Sequence, residues 1–436
     1  MDQLNLERLS VPTVTVVTTP FAQLAKTVAA AEGVREPCFV LVPHPIGILP
    51  AADVRKKAEN AFPAILQAAT DWSPSSGTVD EKSPYPAEVV EFSGTIEDIN
   101  NHFLTQKWSL GLPIIPPTPE FVRAMLKGTR RKPDEILGPV PPGMGALTVE
   151  LVAVHAVMAG CRPEYMPLLI AALQGFMVTE ANWRGALSTT GTTQLIVMVN
   201  GPIVKKIGIA CEQGAAGKGQ HANGSIGHAI NLIAYTVGGS KPPSIDRSTL
   251  GSPADYVCWV FGENEGALPA AWKPLHVERG FQESDSVVTV MGGYPPVENI
   301  DHWSVSPEEH IRWWSHIVSP MHNMGGPALS QVMELNPIIA IGPEHAQLMA
   351  SEGWSKDDFR RAFWEKTRIS ASAWPAGCPE WDKLGEKLGA MTPETMIPVT
   401  NEPEQFLIII TGGDGKHSHY FAPFPGCYPV SRLVEE

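Results

Sequence analysis

A group of chemically reactive side chains interrupts an apolar helical pattern at residues 155–174, HAVMAGCRPEYMPLLIAALQ. Pro163 lacks a backbone donor and disfavours helical geometry at the residue before it, so the sequence predicts a corner between two helices. Cys161 could act there as a nucleophile or a soft metal ligand, if Arg162 or a helix N-terminus favoured its thiolate. Arg162 could instead bind a substrate carboxylate. In the structural alternative, Cys161 is simply buried and Arg162 pairs with Glu164 to brace the corner.

A glycine-rich loop at residues 214–227 leads into another apolar helix, whose first amides could bind an anion. The Walker pattern is not met, because Glu212 occupies the place of the first glycine. A loose dinucleotide fingerprint begins at Gly217, but no strand leads straight into it, which argues against a nicotinamide or flavin cofactor. The loop is therefore either structural or a site for a small anion or substrate, and the candidate substrate-binding residues are Lys218, His221, Asn223 and Ser225.

Acidic residues and a histidine are concentrated at residues 262–281, GENEGALPAAWKPLHVERGF. Glu263, Glu265, His276 and Glu278 could supply a general acid and base. A divalent transition metal could also be bound, with His276, Glu278 and His417 as candidate ligands, although no compact ligand spacing is present. The alternative is a charged loop in solvent.

The segment TGGDGKHSHYF, residues 411–421, follows the last apolar run of the chain. A glycine turn after a strand presents its side chains at the carboxyl edge of the sheet, where ligands usually bind. His417 is therefore a candidate catalytic residue, and Lys416 and Ser418 are candidate substrate-binding residues. A lone histidine has a structural role more often than a catalytic one.

Apolar periodicity predicts an α/β fold, with a small N-terminal parallel unit joined to a larger mixed α/β domain. Strand, helix, strand and helix follow one another in residues 1–71, and residues 72–94 contain a linker rich in Ser, Pro and Gly. The larger domain spans residues 95–436 and contains a helical pair at 148–174.

Local signals refine this assignment. Thr95 and Thr118 are expected to cap helices, the second with Pro119 in its first turn. The run TTQLIVMVNGPI predicts a buried strand that ends at Asn200.

Composition limits the classes of partner. The chain has 32 basic and 46 acidic residues, and the net charge of −14 argues against nucleic-acid binding. No apolar run reaches the roughly 18 to 20 residues that a membrane-spanning helix needs, and no secretory signal is recognisable at the start. The six cysteines are scattered without CxxC pairs, which suits a reducing compartment. We expect a cytoplasmic protein.

Several long phrases resemble the UGSC family, proteins named after a (seleno)cysteine-Gly-Ser-Cys motif. They include VVTTPFAQLAKTVAAAEG, VLVPHPIG, KWSLGLPIIPPTPEFVRAML, TVELVAVHAVMAGCRPEYMPLLIAAL and HANGSIGHAINLI, and the likeness spans most of the chain. The sequence departs from the family at its central feature, because no cysteine precedes Cys38 and no Cys-Gly-Ser-Cys occurs. The resemblance therefore implies a large subunit in a hetero-oligomer, with the thiol on a small Cys- or Sec-containing partner. The family's motif in turn resembles the selenocysteine-Gly-Thr-Cys stretch in the substrate-binding selenoprotein of glycine reductase, which implies bond cleavage in a small polar metabolite.

Three functional hypotheses remain open. In the leading one, the chain is an enzyme subunit that cleaves or forms a carbon–heteroatom bond in a small anionic metabolite, with the thiol from a partner or from Cys161. Arg162 and Lys218 would bind the anion, and Glu164 or Glu278 would orient the residues that transfer protons, namely His221, His276 or His417. The second is a self-sufficient metal-dependent lyase or hydrolase. The third is a non-catalytic scaffold or binding subunit.

Overall fold

The computed structural model describes residues 6, 9, 11, 13–31, 34, 38–46, 49–71, 85–321, 334–373 and 380–435. Its N-terminal unit has the predicted order of strand, helix, strand and helix. Strand β1 (Thr15–Thr18) pairs in parallel with β2 (Phe39–Val42), and helices α1 (Ala22–Ala31) and α2 (Ala51–Asp71) follow them. Of the predicted linker, residues 72–84 lie outside the described residues, and 85–94 form neither helix nor strand.

The remaining strands form four further sheets, two of four strands and two of two strands, within the described residues. In chain order these strands are β3 (Ile136–Val140), β4 (Gly145–Thr148), β5 (Gln194–Asn200), β6 (Trp259–Gly262), β7 (Val287–Gly293), β8 (Val297–Ile300), β9 (Ile338–Ile341), β10 (Arg368–Ser370), β11 (Met396–Pro398), β12 (Leu407–Ile410), β13 (His417–Phe421) and β14 (Val430–Leu433).

Helices pack on the outer face of each of the two larger sheets. In chain order they are α3 (Ile96–Thr105), α4 (Pro119–Leu126), α5 (Val149–Met158), α6 (Met166–Phe176), α7 (Trp183–Ser188), α8 (Ile203–Ile207), α9 (His221–Thr236), α10 (Leu275–Glu278), α11 (Pro307–Met321), α12 (Pro343–Ser351), α13 (Lys356–Lys366) and α14 (Glu380–Leu388). Across the described part of the chain, every helix is too short or too polar to span a bilayer.

The two four-stranded sheets are mixed. Their strand orders are β14-β7-β5-β6 and β12-β9-β13-β8, with β5 parallel to β6 and β12 parallel to β9. The other pairings in both sheets are antiparallel. The predicted larger mixed α/β domain is therefore confirmed.

One face of each sheet packs against the other sheet. Successive side chains of a strand point to opposite faces, so a strand that is buried on both faces must be apolar throughout. One cluster joins the two sheets, and its members include Ile196, Met198 and Met291 from the first and Ile338, Ala340 and Ile409 from the second.

The opposite faces pack against helices. Val197 and Val199 of β5 share a core cluster with α5, α6 and α9. Ile339 and Ile341 of β9 share another with α11, α12 and α13. The larger domain is thus built in four layers of helices, sheet, sheet and helices, and the ends of β5, β6 and β12 meet along one edge.

Both predicted helix caps are present. The Thr95 side chain accepts a hydrogen bond from the Asp98 amide, and the Asp98 carboxylate accepts one from the Thr95 amide, which completes a capping box at the start of α3. Thr118 caps α4 by accepting from the Phe121 amide. The helical pair at 148–174 is also confirmed as α5 and α6, joined by a 3-10 turn at Pro163–Tyr165.

We expect Thr148→Ala to lower the free energy of unfolding by about 1 kcal/mol. The Thr148 hydroxyl accepts from the Leu151 amide at 3.2 Å, which satisfies one of the free donors at the start of α5. Thr148→Ser keeps this hydroxyl and is the matched control. Chemical denaturation of both variants tests the prediction, and equal losses in the two would show that the cap contributes nothing.

The buried His155 makes stability depend on pH. Burial lowers the pKa of His155 from 6.5 to about 4. Between these values the unfolded chain binds the extra proton, so stability falls as the pH drops from 6.5 towards 4, by about 3 kcal/mol from this residue. We expect His155→Gln to flatten the stability–pH curve in this window, whereas the exposed His302→Gln leaves it unchanged. Parallel curves for wild type and His155→Gln would contradict the assignment.

Candidate functional site

A cavity of about 820 Å³ opens where the parallel strands β5 and β6 end. Ligands of open α/β sheets usually bind outside the carboxyl ends of the strands. The second large sheet reaches the same place, because the Asn264 amide donates to the Ile410 carbonyl at 2.7 Å and the Asn264 side chain donates to the Gly412 carbonyl at 3.1 Å. The cavity therefore lies where the ends of β5, β6 and β12 meet.

Gly201 makes the turn out of β5 possible. Its φ is +81°, and an added Cβ would lie 1.9 Å from the Asp285 carbonyl oxygen, so no larger residue fits. This turn leaves the Gly201 amide free to donate to Glu265 Oε1 at 2.8 Å. The end of the strand thereby fixes an acidic side chain at the cavity wall.

Glu263 is a carboxylate buried in this wall, with 1% of its surface exposed. It accepts hydrogen bonds from Asn200 Nδ2 at 2.5 Å, from the Leu275 amide at 2.7 Å and from the Ile410 amide at 3.2 Å. Burial raises the pKa of Glu263, and the Lys356 ammonium 3.8 Å away and these hydrogen bonds offset only part of the rise. Glu263 therefore acts mainly as a structural link between β5, β6, α10 and β12.

Glu265 and His276 lie side by side, with Glu265 Oε1 3.6 Å from His276 Nδ1. The Glu265 side chain lines the cavity and is 32% exposed, whereas His276 is fully buried behind it. Neither ring nitrogen of His276 has a hydrogen-bond partner among the residues that the structure describes. A carboxylate at the cavity wall beside a buried imidazole is an arrangement that can accept and release protons.

Glu278 does not join this pair. Arg360 binds its carboxylate through two nitrogens, at 3.1 and 2.9 Å, and Lys356 Nζ lies 3.2 Å from Glu278 Oε2. A carboxylate held by two cations is charge-balanced, and its acceptor sites face α13 instead of the cavity. Of the acidic residues named from this segment, the structure brings Glu265 next to His276 and directs Glu278 to α13.

The loop before α9 supplies the opposite wall of the cavity through Cys211, Gln213 and Gln220. The Cys211 carbonyl accepts from the Gly412 amide at 2.8 Å, so the glycine turn after β12 packs on this loop. Burial raises the pKa of the half-buried Cys211, and the nearby carboxylates of Glu212 and Glu265 raise it further.

The predicted corner at Cys161 lies elsewhere, beside the start of α9. Burial raises the pKa of Cys161 to about 12, and a hydrogen bond with Ser225 offsets only part of the rise, so the thiol is protonated at neutral pH. The Tyr165 hydroxyl lies 3.1 Å from His221 Nδ1. Arg162, like Glu164, His221 and Lys218, has an exposed side chain.

Two residues of α9 that were predicted to bind substrate, Asn223 and Ser225, instead make hydrogen bonds within the protein. Asn223 is buried, and its amide bonds to the backbone of Ala210, Ala215 and Val260. Ser225 Oγ donates to the His221 carbonyl at 2.8 Å. These hydrogen bonds stabilise the glycine-rich loop. The anion site predicted at Lys218 and His221 stays a prediction.

The residues predicted after the glycine turn form another group, on β13. Ser418 is buried, accepts from the Gly342 amide and lies 2.7 Å from His345 Nδ1. Lys416 Nζ donates to the Ser304 carbonyl at 3.4 Å, and His417 lies on the surface with Nδ1 2.8 Å from Glu298. None of these three side chains lines the cavity.

Two buried histidines, His310 and His345, lie next to β13. His310 Nδ1 lies 2.7 Å from Asp301 Oδ2, and the rings of His310 and His345 are 4.2 Å apart. Burial lowers the pKa of His310, and it lowers that of His345 to about 3, so both rings are neutral at neutral pH. Both rings are close to hydrogen-bond partners, His310 to Asp301 and His345 to Ser418. Neutral rings with such partners fit a structural network between α11, α12 and the sheet.

The predicted metal ligands do not converge. His276 lies behind the cavity, Glu278 pairs with α13, and His417 lies on the surface beside Glu298. In the described ranges, no group of three or more His, Cys, Asp or Glu side chains is arranged to hold a metal ion.

A second cavity, of about 480 Å³, lies beside Thr193 and Leu195 at the start of β5. This is the amino end of the strand, where α/β sheets seldom bind ligands. None of the candidate site residues named from the sequence lines it. The cavity at the carboxyl ends is therefore the better candidate.

Comparison with known proteins supports the family resemblance for the N-terminal unit. Residues 1–71 match the model of the UGSC family. No curated protein and no solved structure matches the chain. The match covers β1, α1, β2 and α2, and the larger domain, with the candidate site, lies outside it.

Proposed function

We propose that the chain is an enzyme, or the large subunit of one, that performs acid–base catalysis on a small polar metabolite in the cavity at the carboxyl ends of β5 and β6. One observation carries the proposal. Glu265 lines the cavity with its carboxylate held by the Gly201 amide, and it lies 3.6 Å from the fully buried His276. Carbon–heteroatom bond cleavage or formation is the reaction class that the UGSC resemblance implies.

The two side chains have different roles in this proposal. Glu265 is the catalytic residue, because its carboxylate faces the ligand and can take or return a proton. His276 is a positioning residue, since it is fully buried beside Glu265 and does not line the cavity itself. The nearby imidazole can share the proton that Glu265 accepts, so that the carboxylate is ready for the next transfer.

An untargeted metabolite assay tests this function. Wild-type protein, Glu265→Gln and the exposed Glu352→Gln are each incubated with a metabolite extract of the native host, and mass spectrometry follows which compounds are consumed. We expect wild type and Glu352→Gln to convert the same compound and Glu265→Gln to leave it intact. Conversion by all three proteins would contradict the proposal. Ligand binding without conversion by any of them would support the binding-subunit alternative.

A thiol-bearing partner is a separate proposal, and the state of the chain's own cysteines supports it. Burial raises the pKa of Cys161, Cys258 and Cys427 to about 12, and Cys38 is buried with its thiol donating to the Ala68 carbonyl. Cys211 lines the cavity, but burial and the carboxylates of Glu212 and Glu265 raise its pKa as well, which disfavours its thiolate. Cys378 lies outside the described residues. If the reaction needs a thiolate, a partner subunit is therefore the better source. Intact-mass analysis of the native complex tests this, and an active chain purified alone would contradict it.

A further inference from the structure

The second cavity, of about 480 Å³ at the start of β5, is lined by two carboxylates, Asp246 and Asp255. Asp246 Oδ1 accepts from the Ser248 amide at 2.8 Å, and Asp255 Oδ2 accepts from the Ser252 amide at 2.7 Å. The other oxygen of each carboxylate has no partner within the described residues. The cavity therefore has one free carboxylate oxygen from each aspartate.

The charges of the two carboxylates have no compensating cation. Partial burial raises the pKa of both Asp246 and Asp255, and the charge of Asp246 raises that of Asp255 further. No basic residue of the described chain lines the cavity. The Lys241 ammonium instead lies over the ring of Tyr235, 5.4 Å from the ring centroid, and makes no ion pair with either aspartate. A cation that enters the cavity would thus meet two negative charges at once.

A buried amide points to a ligand separately from these charges. Asn231 lines the cavity and has only 7% of its surface exposed. Its Nδ2 donates to the Ala254 carbonyl at 2.7 Å, which fixes the orientation of the amide. Oδ1 is consequently the polar atom that Asn231 presents to the cavity, and it accepts no hydrogen bond from any described residue. Buried polar groups are rarely left unpaired, so this oxygen indicates a donor inside the cavity.

The rest of the lining favours an organic molecule over a bare metal ion. Leu187, Leu195 and Ala234 line the same cavity, and its volume is that of a site for a small molecule. Calcium takes six to eight oxygen ligands, of which carboxylates supply much of the charge. No group of three acidic, histidine or cysteine side chains in the described ranges is arranged to hold a metal ion.

We propose that this cavity binds a small organic cation, whose protonated amine lies between Asp246, Asp255 and Asn231 Oδ1. An ammonium group has three donors and no acceptor, which matches two free carboxylate oxygens and one free amide oxygen. The hydrogen bonds to the carboxylates are charge-assisted and are the strong ones of the complex. The carbon chain of the ligand packs against Leu187 and Leu195.

The amine site is separate from the proposed reaction site. The two cavities lie at opposite ends of β5, which spans Gln194–Asn200 and is therefore about 20 Å long. Neither Glu265 nor His276 lines the second cavity. The inference thus goes beyond the proposed function, and it assigns binding of the cation without its conversion.

Two probes of equal length test the inference, 1,4-diaminobutane and the uncharged 1,4-butanediol, each titrated into the full-length protein by calorimetry at neutral pH and constant ionic strength. We expect the diamine to bind and the diol not to bind. Asp246→Asn and Asp255→Asn should each weaken diamine binding at least about tenfold, because each removes one charge that faces the ammonium. Asparagine can still accept from the Ser248 or Ser252 amide, so both variants should stay folded. Asp134→Asn, which changes an exposed carboxylate outside the cavity, should bind as wild type does.

The outcomes are distinct. Binding of neither probe, equal binding of both, or diamine binding that both aspartate variants leave unchanged would each overturn the assignment. Calcium chloride is titrated in the same buffer, and calcium binding that Asp255→Asn abolishes, in a protein that does not bind the diamine, would show a metal site instead. The proposed function does not depend on these results, since conversion by Glu265→Gln tests it at the other cavity.

Discussion

Lys356→Met is expected to lower the free energy of unfolding by about 3 to 5 kcal/mol, the usual result of removing one partner from a buried ion pair. Lys356 has 4% of its surface exposed. Its ammonium donates to the Lys273 carbonyl at 2.6 Å and to the Ile408 carbonyl at 3.3 Å, and it lies 3.2 Å from Glu278.

The loss has two causes. Glu263 is more deeply buried than Lys356 itself, and without the ammonium its charge has no nearby compensation. The Lys273 and Ile408 carbonyls also lose a donor, and methionine cannot replace it. Arg360 still binds Glu278, so that carboxylate remains paired.

Lys366→Met is the matched control, since Lys366 lies exposed in the last turn of the same helix. Denaturation curves of both variants and wild type measure the effect. A change within about 0.5 kcal/mol is expected for the control, as for most surface substitutions. If Lys356→Met were no less stable than Lys366→Met, the buried charge network would have no part in holding the two sheets together.

His276→Phe is expected to lower kcat about 100-fold while the protein stays folded. General acid–base groups typically contribute factors of 10² to 10⁴, and loss of the imidazole removes the proton partner of Glu265. Phenylalanine has a similar shape, and the ring nitrogens of His276 make no hydrogen bond within the described residues, so little stability should be lost.

The pH dependence separates this role from a structural one. If His276 shares the proton of Glu265, the variant should lose or shift one limb of the wild-type pH–rate profile. A purely structural residue would lower the rate equally at every pH. His302→Phe, on the surface, is the control, and it should reproduce the wild-type profile. A wild-type rate and profile in His276→Phe would exclude the pair as the catalytic unit.

Much of the secondary structure could be predicted from local sequence patterns. The helices after Thr95 and Thr118, the strand that ends at Asn200 and the parallel N-terminal unit each have a cap, a turn or a β-branched run within the element itself. Short strands such as β8 and β14 were not predicted, because their place depends on pairing with residues distant in sequence. The packing of two sheets face to face was likewise not visible in any single segment.

The sequence indicated Glu263, Glu265, His276 and Glu278 as one group of candidate acid–base residues, whereas Lys356 and Arg360 were overlooked. A signal for these two existed, since Lys356 and Arg360 fall on the same helical face as the buried Phe359 and Phe363. Charges on an apolar stripe require a buried partner, and Glu278 is that partner for both. The identity of the carboxylate that pairs with Lys356 and Arg360 depends on how α10 packs against α13. The sequence does not specify this packing.

The rate of Glu265→Gln relative to wild type, measured on the metabolite that the wild-type protein consumes, tests the central claim most directly. Glutamine keeps the shape of the side chain and can still accept from the Gly201 amide, but it cannot take up a proton. We predict a kcat at least about 100-fold below wild type, with an unchanged denaturation midpoint. A kcat within a factor of about two of wild type would show that the chemistry takes place without Glu265, and it would contradict the assignment of this cavity as the reaction site.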